Sequence, residues 1–229
     1  MQKTLKKLAA GEKATIVALG DSNTELTWHT AGRLNWVGLL QEALMETFGH
    51  GLPVVINAGR CGDSALDACG RVERDVIPFC PDLLIICLGT NAMFHGSEGA
   101  DSFADAMRSI VGKTREECGS EILLRTPNPV VASNQPGLPS HHRPGYEWPE
   151  YSLAPCARRI VELAAELDCS VVDHYSLWTQ SEALQLAELP NHLWMRMSDA
   201  THPNALGHLC FYRELAPLFG LPHFFPWEA

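Results

Sequence analysis

The sequence predicts an α/β domain in which a parallel sheet carries helices on both faces. Three observations predict it. Five short apolar runs rich in branched residues recur along the 229 residues. Segments with apolar side chains at helical spacing separate them, and the runs stop at clusters of Gly, Asn, Asp and Thr. Strands and helices that alternate in this way build a parallel sheet covered by its own crossover helices.

The first strand is Thr15-Ile16-Val17-Ala18-Leu19, stopped by Gly20. Asp21, Ser22, Asn23 and Thr24 follow, the residue types that cap helices and close turns. Residues 34–48 place Trp36, Val37, Leu40, Leu44, Met45 and Phe48 at helical spacing before Gly49. Pro53-Val54-Val55-Ile56-Asn57 is the second strand and runs into a glycine-punctuated turn, residues 58–64. Ser64 and Asp67 have the spacing of a helix cap and its reciprocal acid, opening a helix to about Ile77. Residues 82–88 open on Asp82 and continue as an unbroken apolar run, the mark of a strand covered on both faces, ending in Gly89-Thr90-Asn91. A helix over 102–118 leads to a fourth strand at 121–125. Prolines and glycines exclude regular structure from 126 to 148, a loop long enough to suggest a lid or rim. A helix at 152–167, a fifth strand at 170–173 and helices at 177–189 and 205–219 complete the chain.

Size and composition suit one domain over residues 1–229 with a substantial core. The formal net charge of -10 argues against a nucleic-acid partner. No run approaches a membrane span, and the cationic start lacks an apolar segment of signal-peptide length. The expected location is the cytoplasm. The eight cysteines lie singly without a Cys-x-x-Cys pair, so buried free thiols are expected. The ten histidines include no His-Glu-x-x-His and no tight ligand triplet. Gly112-Lys113-Thr114 lacks the upstream glycine of a phosphate loop, since Met107 stands there. No metal and no cofactor are expected.

The chemistry sits in the turns, because ligands of open α/β sheets collect at the carboxyl ends of the strands. Ser22 follows the first strand. It is read either as a helix cap or as a nucleophile, and a late turn, Ser198-Asp199-Ala200-Thr201-His202-Pro203-Asn204, favours the second. A serine nucleophile needs a base, and the base needs an acid to fix its tautomer. Asp199 and His202 are three apart, close enough for the carboxylate to meet Nδ1 while Nε2 faces Ser22. Neutral imidazole, with a reference pKa near 6.5, suits proton abstraction at cellular pH. The backbone N–H groups of Ser22 and Gly62 and the amide of Asn91 are available as oxyanion donors.

These residues in this order resemble the SGNH (GDSL-type) hydrolase family. Gly20-Asp21-Ser22-Asn23-Thr24 is similar to its nucleophile block, and Asn57-Ala58-Gly59-Arg60-Cys61-Gly62-Asp63-Ser64 to its second block. Within that block the resemblance makes Gly62, not Gly59, the oxyanion donor. Gly89-Thr90-Asn91 and Asp199-Ala200-Thr201-His202-Pro203-Asn204 are similar to the remaining two blocks. The resemblance implies a flavodoxin-like, three-layer α/β/α sandwich with a central five-stranded parallel sheet. It also implies metal-free ester hydrolysis through an acyl-serine.

Within the family, Gly11-Glu12-Lys13, Asp75-Val76-Ile77 and His202-Pro203 followed by Gly207-His208 resemble intracellular acetyl-xylan esterases and carbohydrate deacetylases. Two positions depart from them. Ser198 stands where that group tends to carry a tryptophan, with Trp194 displaced nearby, and Cys61 stands where serine is frequent. The implied substrate is a small acylated molecule, a carbohydrate acetate foremost. A thioesterase or lysophospholipase on longer chains, or a non-catalytic binding module, are the alternatives.

Other residues have two readings each. Asp21, Arg60, His29, Trp148 and Trp194 are candidates for substrate contact, with Trp28 beside His29 and Tyr146, His141 and His142 near Trp148. The second Gly-Asp-Ser, Gly62-Asp63-Ser64, opens a helix, which makes Ser64 a cap. The apolar tail Phe224-Phe225-Pro226-Trp227 docks on its own core or joins subunits of a homo-oligomer.

Overall fold

The computed structural model describes residues 1–91, 99–130, 153–185, 195–199 and 201–222. Five strands, β1 (Ala14–Gly20), β2 (Pro53–Gly59), β3 (Leu83–Cys87), β4 (Glu121–Arg125) and β5 (Ser170–Val172), pair in parallel in the order β2-β1-β3-β4-β5. That order is the flavodoxin-like one, whose topological switch point lies between β1 and β3. Gly20 pairs with Gly59 on one side and Cys87 on the other, and Cys87 pairs with Arg125. The carboxyl ends of four strands therefore lie level, and their turns open along one edge.

The helices are α1 (Gln2–Ala9), α2 (Ser22–Glu25), α3 (Trp36–Phe48), α4 (Ala65–Asp75), α5 (Gly99–Cys118), α6 (Ala154–Glu166), α7 (His174–Gln185) and α8 (Ala205–Phe219). The period-two alternation of the strands sorts the core into two layers. Ile16, Ala18, Leu83, Ile85 and Leu123 face residues of α1, α3, α7 and α8, among them Leu8, Trp36, Trp178 and Phe211. Val17, Leu19, Leu84, Ile86 and Leu124 face α4, α5 and α6 through Val72, Met107, Ile110 and Leu163. The expected three-layer sandwich with a five-stranded parallel sheet is borne out. Burial of the central strands on both faces is why the residues after Asp82, 83–88, read as an unbroken apolar run.

The largest difference from expectation is α1, which the cationic start concealed. Glu121 at the head of β4 holds it: its carboxylate accepts from the backbone N–H groups of Lys3 (3.0 Å) and Thr4 (2.9 Å) and pairs with the terminal amine at 2.8 Å. Leu8 then seals the core. α7 begins at His174, three residues earlier than expected, since the side chain of Asp173 receives the N–H of Ser176 at 3.1 Å. A polar cluster is also buried under the sheet's edge. Arg125 is wholly enclosed, its guanidinium 3.9 Å from the Trp36 ring centroid and its Nε donating to His174 Nε2 at 2.8 Å. Burial, reinforced by Arg125, holds the His174 imidazole far below its ordinary pKa, so it stays neutral between Arg125 and Glu214.

Candidate active site

The turn after β1 is built to leave one hydroxyl uncommitted. Gly20 packs so closely that a Cβ there would lie 2.1 Å from Thr24 Oγ1 and 2.7 Å from the Cys87 carbonyl. Asp21 caps α2, its Oδ1 accepting the N–H of Asn23 at 2.9 Å. Ser22 is thereby the first residue of α2 rather than its cap. Its Oγ lies 3.0 Å from His202 Nε2, across 180 residues of sequence. The cap reading of Ser22 is overturned, because its neighbour does that work.

The late turn is an Asp-centred knot at the head of α8. Asp199 Oδ1 accepts the N–H groups of Thr201 (2.8 Å) and His202 (2.7 Å). Asn204 caps α8 through the N–H of Gly207 at 3.1 Å, and the Ser198 N–H donates to the His202 carbonyl at 2.8 Å. Within this frame His202 Nδ1 lies 2.8 Å from Asp199 Oδ2. Burial disfavours the charged carboxylate, but His202 and the two backbone donors outweigh it, and the Asp199 pKa falls well below the usual carboxylate range. Asp199 thus stays ionised against the ring.

The three donors expected for an oxyanion stand on the turns after β1, β2 and β3, around the switch point. The backbone N–H groups of Ser22 and Gly62 have no partner among the described residues. Gly62 takes φ +82°, a conformation in which a side chain is strained. One amide N–H of Asn91 donates to the Asp63 carbonyl at 2.9 Å, which fixes the plane of the amide, and its other N–H has no partner among the described residues.

Sequence reasoning missed Arg71. From α4 its guanidinium reaches the Gly20 carbonyl (3.1 Å), the Ala58 carbonyl (2.8 Å), Asp63 Oδ2 (2.5 Å) and Asp75 Oδ2 (3.0 Å). One buried cation thereby ties the turn that carries Ser22 to the loop that carries Gly62. A lone arginine on a helix reads as solvated; only the paired acids Asp63 and Asp75 at i−8 and i+4 hint otherwise.

His29 lies beside the pair, as expected for a site residue. Its ring stacks on His202 with centroids 4.0 Å apart and planes 12° apart, and its Nδ1 is 3.1 Å from Ser198 Oγ. His29, Asp199 and His202 bring possible metal-ligand atoms within 4.8 Å of one another. Stacked rings send their lone pairs along parallel planes, though, and one ion at normal bond length cannot lie in both. The arrangement suits ring packing. Asp21 differs from its expected substrate contact: it is buried at 1% exposure and serves the turn. Arg60 is exposed at the rim, its side-chain Nε 3.8 Å from Asp63. Trp148, Trp194, the loop around Tyr146, His141 and His142, and the tail at Phe224-Phe225-Pro226-Trp227 lie outside the described residues.

The profile of the GDSL-like Lipase/Acylhydrolase family matches residues 18–209, which takes in both the Ser22 turn and the His202 turn. The chain belongs to this family. It is accordingly a carboxylic ester hydrolase. No curated protein matches the sequence. Among solved structures the fold is similar to Axe2, an acetylxylan esterase from Geobacillus stearothermophilus (TM-score 0.70, 21% identity, 94% of this chain and 98% of that one). It is also similar to LAE5, an α/β hydrolase from the metagenome of Lake Arreo, Spain (TM-score 0.68, 18% identity, 91% and 96% covered). Axe2 has also been solved as catalytic mutants of a serine, an aspartate and a histidine. Among the described residues of the present chain, no helix is long and apolar enough to cross a membrane.

Proposed function

We propose that this esterase removes small acyl groups, acetyl foremost, from carbohydrate esters through an acyl-serine at Ser22. The observation that carries the reading is the continuous chain from Ser22 Oγ through His202 (3.0 Å) to Asp199 (2.8 Å). His202 Nε2 takes the Ser22 proton as Oγ adds to the ester carbonyl carbon. Asp199 accepts from Nδ1–H and balances the imidazolium. The N–H groups of Ser22, Gly62 and Asn91 receive the charge that gathers on the carbonyl oxygen. Collapse breaks the bond to the alcohol, which leaves with the proton from His202. Water then repeats the two steps on the acyl-serine and frees the acid. The likeness to an acetylxylan esterase supports the acetyl and carbohydrate parts of the proposal.

The test is hydrolysis of p-nitrophenyl acetate, butyrate and octanoate by the wild type and Ser22→Ala. The expected result is preference for acetate, lost in the variant. Preference for octanoate would move the assignment to lipid or thioester substrates. Absence of Ser22-dependent turnover, together with no labelling by a fluorophosphonate, would leave a non-catalytic binding protein on this fold.

A further inference from the structure

The cleavage sequence dictates where the departing alcohol must sit. Its oxygen receives the proton held by His202 Nε2, so the leaving group lies on the histidine side of the scissile carbon, away from the oxyanion donors. Two aromatic rings stand on that side. His29 stacks on His202, and Trp28 lies against His29 with its ring centroid 6.5 Å from that of His202. Trp28 is 61% exposed, whereas the other described tryptophans, Trp36 and Trp178, are fully buried. Exposing an indole is unfavourable in water, and the loop nevertheless holds it in place. Trp28–Thr30 form a 3₁₀ turn closed by Ala31 at φ +53°, with the Thr30 hydroxyl bonded to the Thr27 and Arg33 carbonyls. The bond from His29 to Ser198 then locks this loop to the Asp199 turn.

Resting on the serine-esterase reading above, we infer that Trp28 is the leaving-group subsite, a platform for the apolar face of a cyclic polyol such as a pyranose. An acyl chain needs an enclosed apolar slot. A pyranose presents C–H groups on one face and hydroxyls around its rim, which a one-sided exposed indole beside polar turns satisfies. Because the loop is fixed beforehand, little ordering cost is added on binding. Trp28 acts on acylation alone, since the alcohol has gone before the acyl-serine is hydrolysed.

The experiment compares kcat/KM for a monoacetylated methyl β-xylopyranoside with that for 2,2,2-trifluoroethyl acetate, an ester of a small acyclic alcohol. Trp28→Ala is expected to lower the ratio of the two by about tenfold, the scale of one lost aromatic contact. Trp28→Phe should restore most of it. A ratio within about twofold of wild type in Trp28→Ala would overturn the subsite, as would a wild type that cleaves trifluoroethyl acetate but not the pyranoside. A wild type without Ser22-dependent turnover of either ester would instead overturn the esterase mechanism. Trp28 lies on the surface, so loss of folding does not confuse the outcome.

Discussion

The chain contains Gly-Asp-Ser twice, at residues 20–22 and 62–64, and the two copies do opposite things. Each follows a neighbouring strand of the same sheet and each precedes a helix. In the first, the aspartate caps the helix and the serine is handed to His202. In the second, the serine caps α4 in a reciprocal box with Asp67, and the aspartate pairs with Arg71. The division of labour is set by where the helix starts. Advancing the cap by one residue converts a hydroxyl that satisfies backbone N–H groups into one free to meet a base. The tripeptide itself carries no chemistry. What matters is which of its two polar side chains the adjoining helix consumes.

Substituting the first serine is the most severe way to test that contrast. Ser22→Ala should lower kcat on p-nitrophenyl acetate by on the order of 10⁴–10⁶-fold, the scale seen when a nucleophile is removed from a working triad. Circular dichroism and thermal midpoint should match the wild type, because Asp21 still caps α2. A variant retaining a tenth of wild-type turnover would remove Ser22 from the mechanism.

The second aspartate comes next. Asp63→Asn leaves Arg71 with Asp75 and two carbonyls but without its shortest partner. Breaking a buried pair is costly, and the donor loop that Asp63 anchors loosens with it. The expected result is a roughly tenfold lower kcat with KM little changed, and a thermal midpoint lower by several degrees. A change confined to KM would show that the loop binds substrate without serving the transition state.

The first aspartate gives a pH test of the same comparison. Burial raises Asp21 to about 6, despite the opposing N–H of Asn23. A carboxyl whose pKa is higher folded than unfolded keeps its proton longer in the folded state. Stability therefore falls as pH rises from about 4, its ordinary value, through 6, by on the order of 2–3 kcal/mol. Asn accepts the same cap bond without a charge to bury. Asp21→Asn should thus gain on the wild type in urea midpoint between pH 4 and pH 7. Parallel curves would show that Asp21 does not titrate in this range.

How much of this was legible beforehand depends on the range of the forces involved. Strands such as Leu83–Cys87 announce themselves because burial on both faces forces every position to be apolar. The Ser64 and Asp67 box is local, three residues across, and was readable for that reason. Ser22 was ambiguous, since its two readings differ only by a partner 180 residues away. Arg71 and α1 were invisible. Their roles depend on Gly20, Asp63 and Glu121, distant groups whose proximity exists only once the sheet has formed. Sequence patterns report what a residue does with its neighbours in the chain, and an arginine or a cationic helix that works at long range looks solvated.

The smallest expected effect belongs to the second serine, and it completes the contrast. Ser64 Oγ accepts the Asp67 N–H at 3.2 Å and donates to Asp67 Oδ2 at 2.6 Å, all within one helical turn. Removing such a cap costs about 1 kcal/mol, which lowers the melting midpoint of a chain this size by about 2–4 °C. The donor loop keeps its geometry through Asp63, whose carbonyl holds Asn91 and whose carboxylate holds Arg71. Ser64→Ala should therefore melt slightly earlier yet hydrolyse p-nitrophenyl acetate with kcat/KM within about twofold of wild type. If it instead lost activity as Ser22→Ala is expected to, the two Gly-Asp-Ser turns would share the chemistry. The assignment of one as nucleophile and the other as cap would then fail.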